Sequence, residues 1–281
     1  MKLDTQDKLD LLEKIIAGYE RAVAAFSGGV DSAFLLSVAR DVLNEKLLAV
    51  TISSPVVPPR EVEEAEGIAR TLGVEHMVIT SNEMEIEEFR SNQPDRCYHC
   101  KMSLFSRMIE IAKERGYRCV MEASNQDDMN DYRPGFRAIQ KLGVKSPLVE
   151  AGFTKEEIRT FSKKRGLSTW DKPAMACLAS RIPYYEPITL RKLEQIRKGE
   201  EFLVSEGFRL CRLRHHGRLA RIEVHPSEVN RLFSEPLREK IAEYLKSLGF
   251  QYVTVDLEGY RSGSLNEALD ELKDQGRKNR D

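Results

Sequence analysis

"AFSGGVDSAF", residues 24–33, sets two glycines between two serines and adds an aspartate, directly after an apolar run. Two readings compete: an ordinary strand-to-helix turn with a serine cap, and a cradle for phosphate. Gly28 and Gly29 let the backbone turn sharply and let a ligand approach the amides. Ser32 stands where the helical pattern "SAFLLSVARDVL" begins, so amide groups and the helix dipole converge on an anion. A bare Gly-Gly pair would read as a turn. Here Ser27 and Ser32 add hydroxyls for phosphate oxygens, and Asp31 adds a carboxylate suited to magnesium. Neither GxxxxGK[ST] nor GxGxxG occurs in the chain, which disfavours a Walker-type phosphatase and a dinucleotide oxidoreductase.

Outward from this stretch, "AVAAFS" (22–27), "LLAVTI" (47–52), "EHMVIT" (75–80) and "RCVMEAS" (118–124) read as strands. Between them lie helical patterns such as "PREVEEAEGIARTL" and "CKMSLFSRMIEIAKERG", the alternation of a parallel sheet with crossover helices. "TKEEIRTFSKKRG" (154–166) opens with Thr154 and Glu157 at capping-box spacing. After Pro183 the rhythm changes to a helix, a hairpin turning near Gly217, a helix over "SEVNRLFSEPLREKIAEYLKSLG" and a strand "QYVTVDL". The expectation is an α/β fold, a doubly wound parallel sheet over residues 1–180, with a smaller α+β domain over 181–270 and a charged, frayed tail over 271–281.

Composition narrows the function. The 44 basic and 45 acidic residues nearly cancel, so no global field draws the chain to nucleic acid or membrane, and any anion site is local. The charged N-terminus lacks the apolar core of a signal peptide, and no stretch approaches a membrane span, which predicts a cytoplasmic protein. Five cysteines do not form a secreted disulfide framework; reduced thiols, some of them binding metal, are expected.

"SGGVDS" resembles the signature of the PP-loop ATP pyrophosphatase superfamily, which includes GMP synthetase, NAD synthetase and tRNA thiolation enzymes. The resemblance implies an adenine nucleotide alpha hydrolase-like domain, cleavage of ATP to AMP and pyrophosphate with Mg2+, and an adenylated intermediate. Ser27, Gly28, Gly29, Val30, Asp31 and Ser32 would then hold ATP, with Asp31 also catalytic and Ser53, Asn125 and Asp128 as further nucleotide contacts. Asn125, Asp128 and Arg133 follow the fourth strand, at the carboxyl edge where α/β sheets bind ligands, although polar loops of this kind are usually just solvated.

Three later segments, 125–159, 170–184 and 211–224, resemble the LarE-type ATP-dependent sulfur transferases, a likeness that runs in order over about 24–258. That family thiolates the carboxylates of a pyridinium dicarboxylate mononucleotide in building the nickel-pincer cofactor of lactate racemase. Glu122 stands where such loops often carry glycine. The chemistry is coherent: adenylation turns a carboxylate oxygen into a good leaving group, and a sulfur nucleophile displaces AMP. The resemblance puts that sulfur at Cys177, which would otherwise read as a structural cysteine, and neighbouring Arg181 would favour its thiolate.

"RCYHCK" carries Cys97 and Cys100 at CxxC spacing, open to a half zinc site, a redox disulfide or iron–sulfur ligation. Cys119 and Cys211 fall in expected strands and read as core residues. The resemblance favours a 4Fe-4S cluster held by Cys97, Cys100 and Cys177, its open iron carrying an extra sulfide. Family members without the CxxC sacrifice the sulfur of one cysteine instead. Arg212 and Arg214 alternate on one strand and share a face, where the resemblance makes them ligands of the substrate phosphate, with Ser180 and Arg181 nearby; a solvated strand face is the competing reading. His215 and His216, at the hairpin tip, read as exposed. The second domain is expected to bind the mononucleotide and to supply surfaces for a homo-oligomer. A tRNA thiolase would need a basic surface that the balanced charge does not suggest, and a non-enzymatic nucleotide-binding module would need neither the CxxC nor Cys177.

Overall fold

The computed structural model describes residues 4–130, 134–173, 176–261 and 263–265. In chain order its principal elements begin with α1 (Thr5–Ala17), β1 (Ala22–Ala25), α2 (Val30–Leu43), β2 (Leu47–Ser53), α3 (Pro59–Leu72), β3 (Glu75–Thr80), α4 (Glu87–Arg90), α5 (Arg96–Glu114) and β4 (Cys119–Met121). They continue with α6 (Pro134–Leu142), α7 (Pro147–Glu150), α8 (Lys155–Lys164), α9 (Leu190–Ser205), β5 (Cys211–His216), β6 (Leu219–Val224), α10 (Leu237–Ser247) and β7 (Tyr252–Val255). The chain divides into two compact units: Met1–Ile86 with Asp95–Met175, and Glu87–Pro94 with Ala176–Asp281.

The first unit is built on a four-stranded parallel sheet ordered β3-β2-β1-β4. Val23 of β1 is paired with Leu48 on one side and Val120 on the other. Both faces are covered, which is why β1 and β2 read as continuous apolar runs rather than alternating ones. On one face Phe34, Phe153, Ile158 and Phe161 pack with Leu12 and Ile16 of α1; on the other Val23, Leu48 and Val50 pack with Phe105, Met108 and Ile139. The chain winds from β1 outward to β2 and β3, then crosses back to place β4 on the far side of β1. This reversal opens a crevice at the carboxyl ends of β1 and β4, the place where open α/β sheets bind ligands. The doubly wound parallel sheet expected from the sequence is thus present, with a second, small sheet beside it in the chain.

The charged N-terminus forms a helix that its sequence pattern alone did not announce. Asp4 accepts from the amides of Gln6 and Asp7, and Asp7 reciprocates at the Asp4 amide, a capping box written with aspartate. The capping box of α8 forms as its spacing predicts: Thr154 Oγ1 accepts from the Glu157 amide, and Glu157 accepts from the Thr154 amide.

The second unit holds the antiparallel hairpin β5–β6, turning at Gly217, with β7 parallel to β6. Helix α9 lies so close to β5 that a Cβ on Gly199 would fall 2.3 Å from Leu213 Cδ2. Asn92, fully buried, donates to the carbonyls of Pro183 (2.7 Å) and Glu186 (2.8 Å), which ties Glu87–Pro94 into this unit. The long helix expected over 227–249 is two pieces, a 3-10 segment Pro226–Phe233 and α10. Pro236 separates them, because it lacks an amide hydrogen and disfavours a helical residue before it. The tail 271–281 and Arg133 lie outside the described residues.

Replacing Thr154 by Ala should lower the unfolding free energy by about 1 kcal/mol, read as a shifted urea midpoint at unchanged slope, with Thr154→Ser recovering most of the loss.

Candidate active site

The loop after β1 is shaped for an anion. Gly28 has φ +70°, and a Cβ there would stand 3.2 Å from Ala65 Cβ, so the loop lies flat on α3 only because it carries glycine. Gly29 is the N-cap of α2 and offers no side-chain cap, which leaves amides of the first helical turn for a ligand. Ser27 Oγ and Ser32 Oγ are 3.1 Å apart, and Ser32 Oγ also donates to the Gly29 carbonyl at 3.1 Å. The serines thereby brace the two ends of the loop against each other. Val30, buried, opens the helix.

Asp31 points into this setting with an unfinished environment. Its Oδ2 accepts from Lys155 Nζ, while its Oδ1 is buried with no partner. Burial raises its pKa above the ordinary carboxylate range and nearby Asp128 adds to this, against the opposing charges of Lys155 and Arg159. An orphaned carboxylate oxygen beside a phosphate cradle suits a divalent cation, which would supply the missing positive partner. Sequence reasoning missed Lys155 as a site residue; the capping box at Thr154 fixes where it enters the helix, but its pairing with Asp31 spans 124 positions.

The loop after β4 forms the other wall. Asn125, 2% exposed, accepts from the Asp127 amide, and Asp128 accepts from the Asn125 amide, so both side chains shape their own loop. Asp127 Oδ2 accepts from the Lys155 amide at 2.8 Å, joining this wall to α8. Glu122, the residue out of pattern, is buried and accepts from the Ser124 amide and from the hydroxyls of Ser124 and Ser146. Its role here is to fasten the loop that follows β4. Ser53 ends β2, and its carbonyl accepts from the Ser81 amide at 3.0 Å.

Cys97 and Cys100 lie on the first two turns of α5, exposed and half-buried respectively. A Cβ on Gly135 would fall 3.4 Å from the Cys97 carbonyl, so α6 approaches this turn closely. Tyr98, between the cysteines, accepts from Lys141 Nζ at 3.2 Å and lies under the Arg137 guanidinium. None of the five cysteines is in a disulfide, and among the described residues no group of three His, Cys, Asp or Glu side chains is arranged to hold a metal ion.

In the second unit, Cys177 is exposed at the start of a 3-10 turn, Leu178–Arg181. Arg181 is 1% exposed and commits all its donor nitrogens locally. Two go to Glu200 at 2.8 and 2.9 Å, and Nη1 goes to the carbonyls of Ala176 and Cys177 and to Ser180 Oγ. Burial alone would lower its pKa; the Glu200 carboxylate reverses the direction. Arg181 therefore fixes the turn that carries Cys177. Arg214, also buried, pairs with Glu223 through two hydrogen bonds of 2.8 Å and donates to the Ser180 carbonyl. Arg212 is 4% exposed, lies over the Tyr260 ring, and has a pKa lowered by burial and by neighbouring Arg181. The strand arginines are thus interior, not on a solvated face. His215 departs from the exposed position expected at a hairpin tip: strand alternation turns it inward to Gln195 (3.2 Å), while His216 stays out.

The NAD synthase family pattern matches residues 6–127. The pyridinium-3,5-bisthiocarboxylic acid mononucleotide synthase of Lactiplantibacillus plantarum is 35% identical over 251 residues, 89% of this chain and 90% of the relative. The chain belongs to the LarE-type family of ATP-dependent sulfur transferases. Two uncharacterised proteins are also similar: one of Synechocystis sp., 39% identical over 264 residues (94% of this chain, 98% of the relative), and one of Methanocaldococcus jannaschii, 29% identical over 243 residues (86% and 92%).

Within this LarE-type chain the thiols divide into two classes. Burial pushes Cys211 up to about 12 and Cys119 up to about 11, whereas Cys97 and Cys177 are exposed. Brief iodoacetamide treatment of the native, reduced, metal-free protein at pH 8 should therefore modify Cys97 and Cys177 and spare Cys119 and Cys211, as read by peptide mass spectrometry.

Proposed function

We propose that the protein uses ATP to activate a carboxylate of a pyridinium dicarboxylate mononucleotide and replaces oxygen by sulfur, giving a thiocarboxylate for nickel-pincer cofactor biosynthesis and lactate racemase maturation in the cytoplasm. The observation that carries the reading is the cradle Ser27–Ser32 at the sheet's crevice, with the orphaned Oδ1 of Asp31 beside it. The similarity to the Lactiplantibacillus synthase supports the substrate class.

In this reading the first unit carries the nucleotide chemistry and the second the substrate contacts, in a homo-oligomer, with the boundary near 175 rather than at the expected 180. Ser27, Gly28, Gly29 and Ser32 receive the pyrophosphate portion of ATP, and Asp31 would hold a magnesium ion, which would supply charge neutralisation for the phosphates. Lys155, which donates to Asp31, stands beside the cradle as a further positive charge for the phosphates. The substrate carboxylate oxygen attacks the α-phosphorus, pyrophosphate leaves, and sulfur displaces AMP from the adenylate. Arg181 holds the Cys177 turn, and Arg212 and Arg214 are the contacts of the substrate phosphate, Arg214 being oriented by Glu223. A 4Fe-4S cluster on Cys97, Cys100 and Cys177 is proposed from the family resemblance together with the cysteine set.

Pyrophosphate release from ATP should require the dicarboxylate mononucleotide, and Asp31→Asn should lower its rate by at least roughly a hundredfold while leaving the circular dichroism spectrum intact. Turnover at the wild-type rate in that variant, or a requirement for tRNA in place of the mononucleotide, would overturn the assignment.

Anaerobically purified protein should contain iron and sulfide, lost on substitution of Cys97, Cys100 or Cys177 and retained in Cys119→Ala. Stoichiometric zinc without iron rejects the cluster. Conversion of Cys177 to dehydroalanine after one turnover would instead assign the sacrificial route.

A further inference from the structure

The phosphate loop rests on a charged floor that the reaction scheme does not use. Glu61 and Glu64 occupy the first turns of α3, the helix that Gly28 packs against. Both carboxylates face Lys172, whose Nζ donates to Glu61 Oε2 at 2.7 Å, to Glu64 Oε2 at 2.8 Å and to the Gly28 carbonyl at 3.3 Å. These three acceptors use the three donors of an ammonium group. Arg60 meets Glu64 from the solvent side at 2.7 Å. The lysine is itself held by its backbone, because Arg159 donates from Nη2 to the Lys172 carbonyl (2.9 Å) and from Nη1 to the Trp170 carbonyl (2.7 Å). The side chains of Lys172 and Glu61 are only 15% and 12% exposed, so solvent screens the charges weakly.

Two carboxylates beneath an anion-binding loop oppose anion binding unless they are neutralised. We propose that Lys172 is a positioning residue of the phosphate loop: it cancels the charge of Glu61 and Glu64 and holds the Gly28 carbonyl away from the entering phosphates. The inference rests on the reading of the loop as the pyrophosphate cradle. The neighbouring charges are Glu61, Glu64, Arg60 and Arg159. Burial alone would lower the Lys172 pKa, and the two carboxylates reverse this, so the ammonium form persists at neutral pH. For Glu64, burial alone would raise the pKa, and its hydrogen bonds from Lys172 and Arg60 win. Lys172 lies in the segment "WDKP", which the sequence offered only as part of a family likeness.

The test is calorimetric titration of the full chain with inorganic pyrophosphate and, separately, with AMP, which lacks that group. Lys172→Met should weaken pyrophosphate roughly ten- to hundredfold and leave AMP unchanged. Lys172→Arg should recover part of the loss. The triple change Lys172→Met, Glu61→Gln, Glu64→Gln should bring pyrophosphate affinity back close to wild type, a rescue that no merely structural role of the lysine would give. Equal pyrophosphate affinity in wild type and Lys172→Met, or a triple variant as weak as the single one, overturns the proposal. A wild-type protein that binds neither pyrophosphate nor ATP overturns the cradle reading itself, and the proposal with it.

Discussion

The ion pair between Asp31 and Lys155 joins three pieces of chain at the mouth of the crevice. Asp31 sits in the first turn after β1, Lys155 at the entry of α8, and the Lys155 amide donates to Asp127 in the loop after β4. One residue thus ties both walls of the crevice created by the strand reversal. The pair is partly buried, so it costs desolvation and repays it only when the geometry holds. The other oxygen of Asp31 is buried without a hydrogen-bond partner, the position proposed for a magnesium ion. A structure optimised for stability alone would have satisfied that oxygen.

The second unit solves a different problem with the same chemistry. Arg181 and Arg214 are nearly inaccessible, and each is matched by a carboxylate in bidentate fashion, Glu200 and Glu223. Removing one member of such a buried pair costs about 3–5 kcal/mol because it strands the other charge. Arg181 spends its remaining donors on the carbonyls of the turn that presents Cys177. The turn therefore has a fixed backbone and an exposed thiol, a combination that suits a reacting sulfur better than a flexible loop would.

What could be read from the sequence was local. The glycines, serines and aspartate of "SGGVDS", the Thr154 box and the apolar strands all declare themselves within a few residues, since backbone conformation and capping are short-range. The partners of the charged residues do not. Arg212 and Arg214 alternate as strand residues should, yet nothing nearby says that Glu223, across the hairpin, or the Tyr260 ring would receive them. The partners of Lys155, Lys172 and Arg181 were invisible for the same reason. Pro236, by contrast, was a local signal that the apolar periodicity of 227–249 outweighed, and the helix breaks there. The short segment Glu87–Pro94 carries no mark of its membership in the second unit, because its anchor, Asn92, works through carbonyls some ninety positions away.

Gly199 makes the spacing between α9 and β5 a dimension of the turn that carries Cys177. The next residue is Glu200, which grips Arg181, which in turn grips the carbonyl of Cys177. With no side chain at 199, the helix seats directly on Leu213. Any larger residue would wedge helix from sheet and carry Glu200 outward, and the displacement would arrive at the sulfur through two rigid links. The place where a cysteine is aimed is thus set by a missing methyl group more than twenty residues down the chain.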